Sequence, residues 1–206
     1  MLEIDAGVFG TLSNNCYIIT DKATGMSALI DCTDNSEKMM KLIDGKNLQY
    51  ILLTHGHFDH IGGVKAVKEK TGARVVISKE DEPMLSSSKA SLAAFCNAPQ
   101  NNTRADMTVS DSDVIMLGET EIKVMATPGH TKGGLCYICD GSIFTGDTLF
   151  SLSCGRIDFP GGSAKEMTQS LRRIASLEGD YAVYPGHNDI STLDYERKNN
   201  PYLQSL

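Results

Sequence analysis

Three of the five histidines in this chain of 206 residues lie within one six-residue segment, His55-Gly56-His57-Phe58-Asp59-His60. Imidazole and carboxylate groups are the ligands that Zn²⁺ and related ions prefer in proteins. A short loop with so many of these side chains is poor material for a helix or a hydrophobic core. The segment therefore predicts a metal site and a metal-dependent reaction.

The two other histidines and one aspartate occupy positions of the same kind. His130, Asp147 and His187 each come after an apolar strand pattern, directly behind a glycine that allows the backbone to turn sharply. Any one of them alone could be a polar residue in a surface turn. The same placement in every case favours a single site, built from loops at one edge of a rigid scaffold.

The elements that must position these residues follow from apolar periodicity and turn signals. Short apolar runs separated by turn residues predict strands at 2–8, 16–19, 28–30, 49–53, 74–77, 114–117, 122–125, 135–138, 142–144 and 181–184. Helical spacing predicts helices at 35–44, 61–72 and 164–177, and the polar segment 79–96 is permissive for a helix. Both halves of the chain run from strands through a polar loop to a helix. We therefore expect an α/β fold with two sheets back to back and helices outside.

Composition limits the class of protein further. The length predicts one domain over residues 1–206. The net charge of −7 argues against a nucleic-acid partner, and no apolar run is long enough for a membrane helix. An acidic residue, Glu3, stands where a secretory leader would be basic. We therefore expect a cytoplasmic protein whose six cysteines are reduced thiols.

The order of the motifs resembles the metallo-β-lactamase superfamily. His-x-His-x-Asp-His is followed by Thr-Pro-Gly-His-Thr, Gly-Asp-Thr and Pro-Gly-His, and the resemblance covers about residues 14–203. The segments 146–150, 155–162 and 196–201 are most similar to the short bacterial glyoxalase II-like hydrolases of that superfamily. The resemblance implies a four-layer αβ/βα sandwich with the site at one edge of the paired sheets.

The same resemblance implies a ligand set and a reaction. The first metal would be held by His55, His57 and His130, the second by Asp59, His60 and His187, and Asp147 would bridge both. The implied cofactor is two divalent ions, Zn²⁺ before Fe or Mn, which share a hydroxide. That hydroxide would attack the carbonyl of a small thioester, and Asp59 would also orient it.

The chain departs from the longer glyoxalase II enzymes at positions that grip glutathione. Where those enzymes carry Lys-x-Tyr, this sequence has Arg156 and Asp158, and Asp189 replaces a tyrosine. The thiol carrier of the substrate therefore stays open. Arg156 is a candidate for holding an acidic group of the substrate, or forms a structural salt bridge with Asp158.

Three other interpretations compete with the thioester hydrolase. Persulfide dioxygenases are similar around residues 154–159, and would place one Fe(II) on His55, His130 and Asp147. The lack of a leader argues against a β-lactamase. Cys136-x-x-Cys139 could be a redox or zinc pair, but residues three apart on a strand point to opposite faces.

One charged run carries a separate prediction. Glu80-Asp81-Glu82 is interpreted as the solvated start of a helix, because acidic residues favour the first turn.

Overall fold

The computed structural model describes residues 1–100 and 102–206, and its first half forms a six-stranded sheet. The strands are β1 (Leu2–Phe9), β2 (Asn14–Asp21), β3 (Met26–Ile30), β4 (Asn47–Leu52), β5 (Arg74–Ser78) and β6 (Met107–Val109). They lie side by side in chain order. Strands β1 to β3 pair antiparallel, and β3 to β6 pair parallel. The parallel strands all have their carboxyl ends at one edge of the sheet. The histidine segment follows β4 and therefore lies at this edge.

The second half forms another six-stranded sheet, in the order β14-β13-β10-β9-β8-β7. Its strands are β7 (Val114–Leu117), β8 (Thr120–Ala126), β9 (Leu135–Cys139), β10 (Ser142–Gly146), β13 (Ala182–Pro185) and β14 (Ser191–Thr192). Strands β10 and β13 are parallel neighbours, whereas the other pairs are antiparallel. Two short strands, β11 (Leu149–Phe150) and β12 (Ser153–Cys154), pair with each other beside this sheet.

Helices cover the outer face of each sheet. They are α1 (Glu37–Leu42), α2 (Phe58–Ile61), α3 (Val64–Thr71), α4 (Ala164–Ala175), α5 (Leu193–Asn199) and α6 (Pro201–Gln204). The first three pack on the first sheet and the last three on the second. Helices α1 and α4 begin behind serine N-caps, whose side chains accept a hydrogen bond from the first turn.

Alternation along the strands divides the apolar residues into three layers. Ile18 packs under the helices of the first half, whereas its neighbour Ile19 lies between the sheets. Cys136 packs under the second set of helices, and Tyr137 joins the layer between the sheets. Two helical layers and two sheets therefore enclose three apolar layers, which confirms the predicted four-layer αβ/βα sandwich.

The predicted helix at 61–72 begins later than expected, at Val64, and forms α3. The residues before Gly62 and Gly63 form a separate turn, α2, which carries Asp59 and His60. The helix ends where the sequence predicts, at Gly72 with a left-handed φ of 73°. The helix-permissive segment 79–96 forms only one 3-10 turn, Glu82–Leu85, amid other turns.

Two expectations about bulk character can be compared with the described residues. None of the helices there has the length and apolar character that crossing a membrane requires. All six cysteines are free thiols, and Cys136 and Cys139 face different apolar layers. The pair therefore cannot hold one ion, as the strand pattern predicts.

Candidate metal centre

The histidine segment leaves the first sheet at the end of β4 and enters α2. His55 and His57 lie on the connecting loop, and Asp59 and His60 lie in the single turn of α2. The loop is joined to the second sheet, because the Leu135 amide donates to the Thr54 carbonyl at 2.8 Å. The segment is thereby fixed against the opposite sheet.

The other three candidates come from the second sheet. His130 follows β8, Asp147 follows β10 and His187 follows β13. The loops of Asp147 and His187 are joined by a hydrogen bond from the Gly186 amide to the Gly146 carbonyl at 2.8 Å. Together the two sheets bring all seven candidates to one edge, where their ligand atoms form three groups, each within 4.8 Å.

The first cluster consists of three histidine rings with converging nitrogens. The Nδ1 atom of His57 lies 3.1 Å from Nε2 of His55 and 2.9 Å from Nε2 of His130. All three side chains are buried. One ring nitrogen cannot satisfy two such neighbours by hydrogen bonding alone, but three converging lone pairs suit a cation.

The second cluster combines one carboxylate with two histidines. The Oδ2 atom of Asp59 lies 3.5 Å from Nε2 of His60 and 3.5 Å from Nε2 of His187. Asp147 stands between the clusters: its Oδ1 is 3.4 Å from His60 Nε2, and its Oδ2 is 3.5 Å from His130 Nε2. A carboxylate in this position can serve both clusters.

The outward nitrogens of three rings show which tautomer each ring adopts. The Nδ1 atom of His60 lies 2.8 Å from the Asp31 carboxylate. The Nδ1 atom of His130 lies 2.8 Å from the Arg156 carbonyl, and that of His187 lies 3.1 Å from the Leu12 carbonyl. Each of these acceptors requires a proton on Nδ1, which leaves Nε2 to face the clusters.

One buried atom of the site has no hydrogen-bond partner and faces the clusters. This atom is Oδ1 of Asp147. A buried carboxylate oxygen without a partner is costly unless a cation or donor reaches it. The donor set of imidazoles and carboxylates therefore fits divalent ions such as zinc or iron.

The protonation states of the two clusters differ. Burial, together with the neighbouring His130, lowers the pKa of His57 to about 3. Burial also lowers the pKa of His60, but the Asp59 and Asp147 carboxylates outweigh it and raise the pKa to about 10. In the metal-free protein His57 is neutral at pH 7, and His60 carries a proton in the place of a cation.

Asp31 supports both clusters, and the sequence analysis missed it. Its Oδ2 accepts from His60 Nδ1 at 2.8 Å and from Thr54 Oγ1 at 2.8 Å. Thr54 Oγ1 in turn lies 3.2 Å from Nδ1 of His55. The available signal was positional, because Asp31 directly follows β3 just as Asp147 follows β10.

Asp81 is the second missed residue, and its predicted solvent exposure is wrong. The side chain is 0% exposed and accepts from Thr131 Oγ1 at 2.7 Å and from the Gly133 amide at 3.0 Å. It also accepts from the Gly56 amide at 3.3 Å. No regular helix starts there, and Asp81 instead ties the His55–His57 loop to the His130 loop.

Gly186 is required by close approach rather than by its backbone angle. A Cβ atom at this position would lie 2.5 Å from Oδ1 of Asp147 and 2.9 Å from Cε1 of His60. A Cβ atom on Gly129 or Gly146 would also lie 2.5 Å from a neighbour, Met167 or Thr54, and these two glycines have positive φ angles of 141° and 47° as well. All three glycines before the ligand candidates therefore permit a close approach, and two of them also permit an unusual backbone angle.

A cavity of about 570 Å³ opens beside the clusters. His57, Asp59, His130, Asp147 and His187 form its polar wall. Its apolar wall is formed by Leu12, Phe58, Leu92, Phe150 and Phe159. A cavity of this size and character suits a small organic substrate with one polar reacting group.

Arg156 lies on the rim of this cavity, and its guanidinium group already contacts two neighbouring side chains. Its guanidinium group donates two hydrogen bonds to Asp158, at 2.7 and 2.6 Å, and stacks 3.9 Å over the Phe159 ring. The salt bridge that the sequence offered as an alternative is therefore present. The substrate-binding role of Arg156 stays a prediction.

The motifs and the sandwich together identify the family. The sequence matches the metallo-beta-lactamase superfamily over residues 9–187. The chain belongs to the metallo-beta-lactamase superfamily. Among characterised relatives, the hydroxyacylglutathione hydrolase of Pelagibacter ubique (strain HTCC1062) is 35% identical over 92% of this chain and 70% of that protein.

Two solved superfamily structures are similar over nearly the whole chain. The B3 metallo-beta-lactamase BLEG-1 superposes with a TM-score of 0.92 at 26% identity, over 98% of this chain and 99% of that one. The di-iron-bound form of TTHA1623 superposes with a TM-score of 0.85 at 32% identity, over 97% and 100%. The sandwich is thus shared with two solved structures, one of which is in a di-iron-bound form.

Proposed function

We propose that this superfamily member is a dinuclear metallohydrolase that cleaves small thioesters, in the manner of glyoxalase II. The observation that carries the proposal is the completeness of the second cluster. The ligand atoms of Asp59, His60 and His187 lie within 4.8 Å of one another, as those of the three histidines of the first cluster do, and Asp147 lies between the two clusters. A mononuclear enzyme would not need a second complete set of ligand candidates.

The seven residues take distinct roles in this proposal. His55, His57 and His130 would hold one ion, Asp59, His60 and His187 would hold the other, and Asp147 would bridge them. When bound, the ions would supply a hydroxide at neutral pH and would polarise the thioester carbonyl. Asp59 is also proposed to orient the nucleophile. Asp31 keeps His60 and Thr54 in place, and the apolar wall of the cavity holds the acyl part and excludes bulk water.

Arg156 is proposed to recognise an acidic group of the substrate. It lies on the cavity rim, and its guanidinium group is half exposed, so it can exchange Asp158 for a substrate carboxylate. Arg156→Ala should raise KM about tenfold for an acidic thioester while kcat changes little. An unchanged KM would assign Arg156 to structure alone.

Metal analysis combined with a substrate panel tests the function. We expect two ions per chain, zinc before iron or manganese, and turnover of acyl-glutathione or acyl-pantetheine thioesters. One iron per chain with oxygen uptake on added persulfide would instead establish the mononuclear oxygenase on His55, His130 and Asp147.

Hydrolysis of a β-lactam is the other reaction to be measured, because BLEG-1 is so similar in fold. Ring opening of a chromogenic cephalosporin without any thioester turnover would overturn the proposed substrate class. Turnover of thioesters with no more than trace β-lactam cleavage would support it.

A further inference from the structure

Asn14, at the start of β2, lies against the second cluster. Its Nδ2 atom is 2.8 Å from Oδ2 of Asp59, 3.2 Å from Nε2 of His60 and 3.3 Å from Nε2 of His187. The side chain is 0% exposed. Its Oδ1 atom is buried and has no hydrogen-bond partner. The amide nitrogen of Asn14 therefore contacts all three members of the cluster, whereas its amide oxygen makes no hydrogen bond.

The neighbouring Asn15 shows what a structural amide looks like in the same strand. Its Nδ2 donates two hydrogen bonds, to the Pro185 carbonyl at 3.0 Å and to the Asn188 carbonyl at 2.9 Å. Asn14 Nδ2 instead lies within 3.3 Å of three ligand atoms, more than its two hydrogens can serve. Its contacts are not those of a satisfied structural amide.

The distances around Asn14 match a coordination shell. Ligand atoms at 2.0–2.2 Å from an ion are separated by roughly 2.8–3.1 Å when they are octahedral neighbours and by roughly 3.3–3.6 Å when they are tetrahedral neighbours. The amide end of Asn14 lies 2.8–3.3 Å from the three ligand atoms, and Asp59 Oδ2 lies 3.5 Å from both histidine nitrogens. The amide of Asn14 therefore lies where a further ligand of an ion held by Asp59, His60 and His187 would lie.

We propose that Asn14 is an additional ligand of the second metal, through Oδ1 after a half-turn of the amide. The half-turn exchanges nitrogen and oxygen at nearly constant shape, and an amide carbonyl is a good ligand for hard divalent ions. This inference rests on the proposed two-metal function. A competing role for Asn14 is to position Asp59 through a hydrogen bond from Nδ2.

Metal titration of variants at this position tests the inference without any activity assay. Metal-free parent, Asn14→Leu and Asn14→Asp proteins are titrated with Zn²⁺ against a chromophoric chelator, and Co²⁺ spectra report coordination number. Leucine keeps the shape but offers no oxygen, whereas aspartate keeps an oxygen at the same vertex. We expect Asn14→Leu to bind the first ion normally and the second at least tenfold more weakly.

Asn14→Asp should retain or tighten the second site, and its Co²⁺ spectrum should keep the coordination number of the parent. Equal second-site affinity in the parent and Asn14→Leu would overturn the inference. So would a loss in Asn14→Asp as large as in Asn14→Leu, which is the result expected of a residue that only donates to Asp59. A parent protein that binds a single ion would instead refute the two-metal function. Matching melting temperatures of the metal-free proteins establish that all three are folded.

Discussion

Individual hydrogen bonds decide which atoms of this site are available to a cation. Carboxylate or carbonyl acceptors hold the outer nitrogens of His60, His130 and His187, so that the inner nitrogens keep free lone pairs when no proton occupies them. Asp31 contributes to both clusters, directly through His60 and indirectly through Thr54. Its influence on metal binding should therefore rival that of a ligand.

Asp31→Asn tests this influence. The change keeps the size of the side chain but removes the charge that His60 and Thr54 share. We expect a 10–100-fold loss of metal affinity in a chelator competition, as other outer partners of metal-bound histidines show. Asp5→Asn, which removes an exposed carboxylate paired with Lys46, is the control and should bind metal normally. Parent-like affinity in Asp31→Asn would show that the histidine rings are fixed by packing alone.

Proton release distinguishes the two clusters. The pKa of His60 is raised to about 10, so this ring is protonated at pH 7.5 in the metal-free protein and must lose its proton to bind an ion. The pKa of His57 is lowered to about 3, so this ring has no such proton to lose.

The second ion should therefore release the His60 proton and bind more tightly as pH rises toward 10, whereas His55 and His57 should contribute no proton when the first ion binds. Calorimetric titration at pH 7.5 in two buffers of different ionisation enthalpy measures both values. Buffer-independent heats for the second ion would contradict the prediction.

At the scale of elements, close packing determines how the chain passes from the histidine segment into α3. A Cβ atom on Gly63 would lie 2.0 Å from the Asp34 carbonyl oxygen, so α2 and α3 can pack on this loop only with glycine between them. Gly72 ends α3 with a φ of 73° and has open space around it. The two glycines are thus needed for different reasons, close contact and backbone angle.

The pair Gly63→Ala and Gly72→Ala separates these reasons. Gly63→Ala should lower the free energy of unfolding by roughly 2–3 kcal/mol, because backbone must shift to admit the methyl group. Gly72→Ala should cost only about 1 kcal/mol, the strain of a left-handed alanine. Urea unfolding of the metal-free proteins measures both. Equal losses of unfolding free energy at the two positions would mean that the loop of Asp34 shifts at little energetic cost.

The whole molecule brings ligand candidates from two sheets to one edge. His55, His57, Asp59 and His60 come from the first sheet, and His130, Asp147 and His187 from the second. Tyr17 also crosses between the halves and donates to the Pro185 carbonyl at 2.7 Å, next to the His187 loop. An ion held at this edge would tie the two sheets together.

Metal removal should therefore destabilise the entire fold. A free-ion concentration 100 times the Kd adds about 2.7 kcal/mol of stability, which corresponds to roughly 5–10 °C in Tm for a chain of this length. Thermal unfolding with and without chelator measures the shift. Asp147→Ala removes the residue between the clusters and should abolish most of it. A full shift in that variant would remove Asp147 from its proposed bridging role.

The sequence determined the ligand candidates and the layers that carry them. The apolar periodicity predicted the strands, and the motifs that contain glycine and histidine predicted the loops. The order of these motifs predicted the sandwich. These features are readable because each depends on near neighbours along the chain. The predicted seven residues do converge, although their role as ligands awaits measurement.

Tertiary structure alone decided the surroundings of those residues. Asp31, Asp81 and Asn14 lie far in sequence from most of what they contact. The position of Asp31 directly after a strand was a usable signal, but no local pattern marks Asp81 as buried rather than solvated. Asp81 illustrates this, since its charged neighbours suggest exposure while three loop groups donate to it from elsewhere. Packing of distant segments sets burial, and burial sets which polar atoms are left to face an ion.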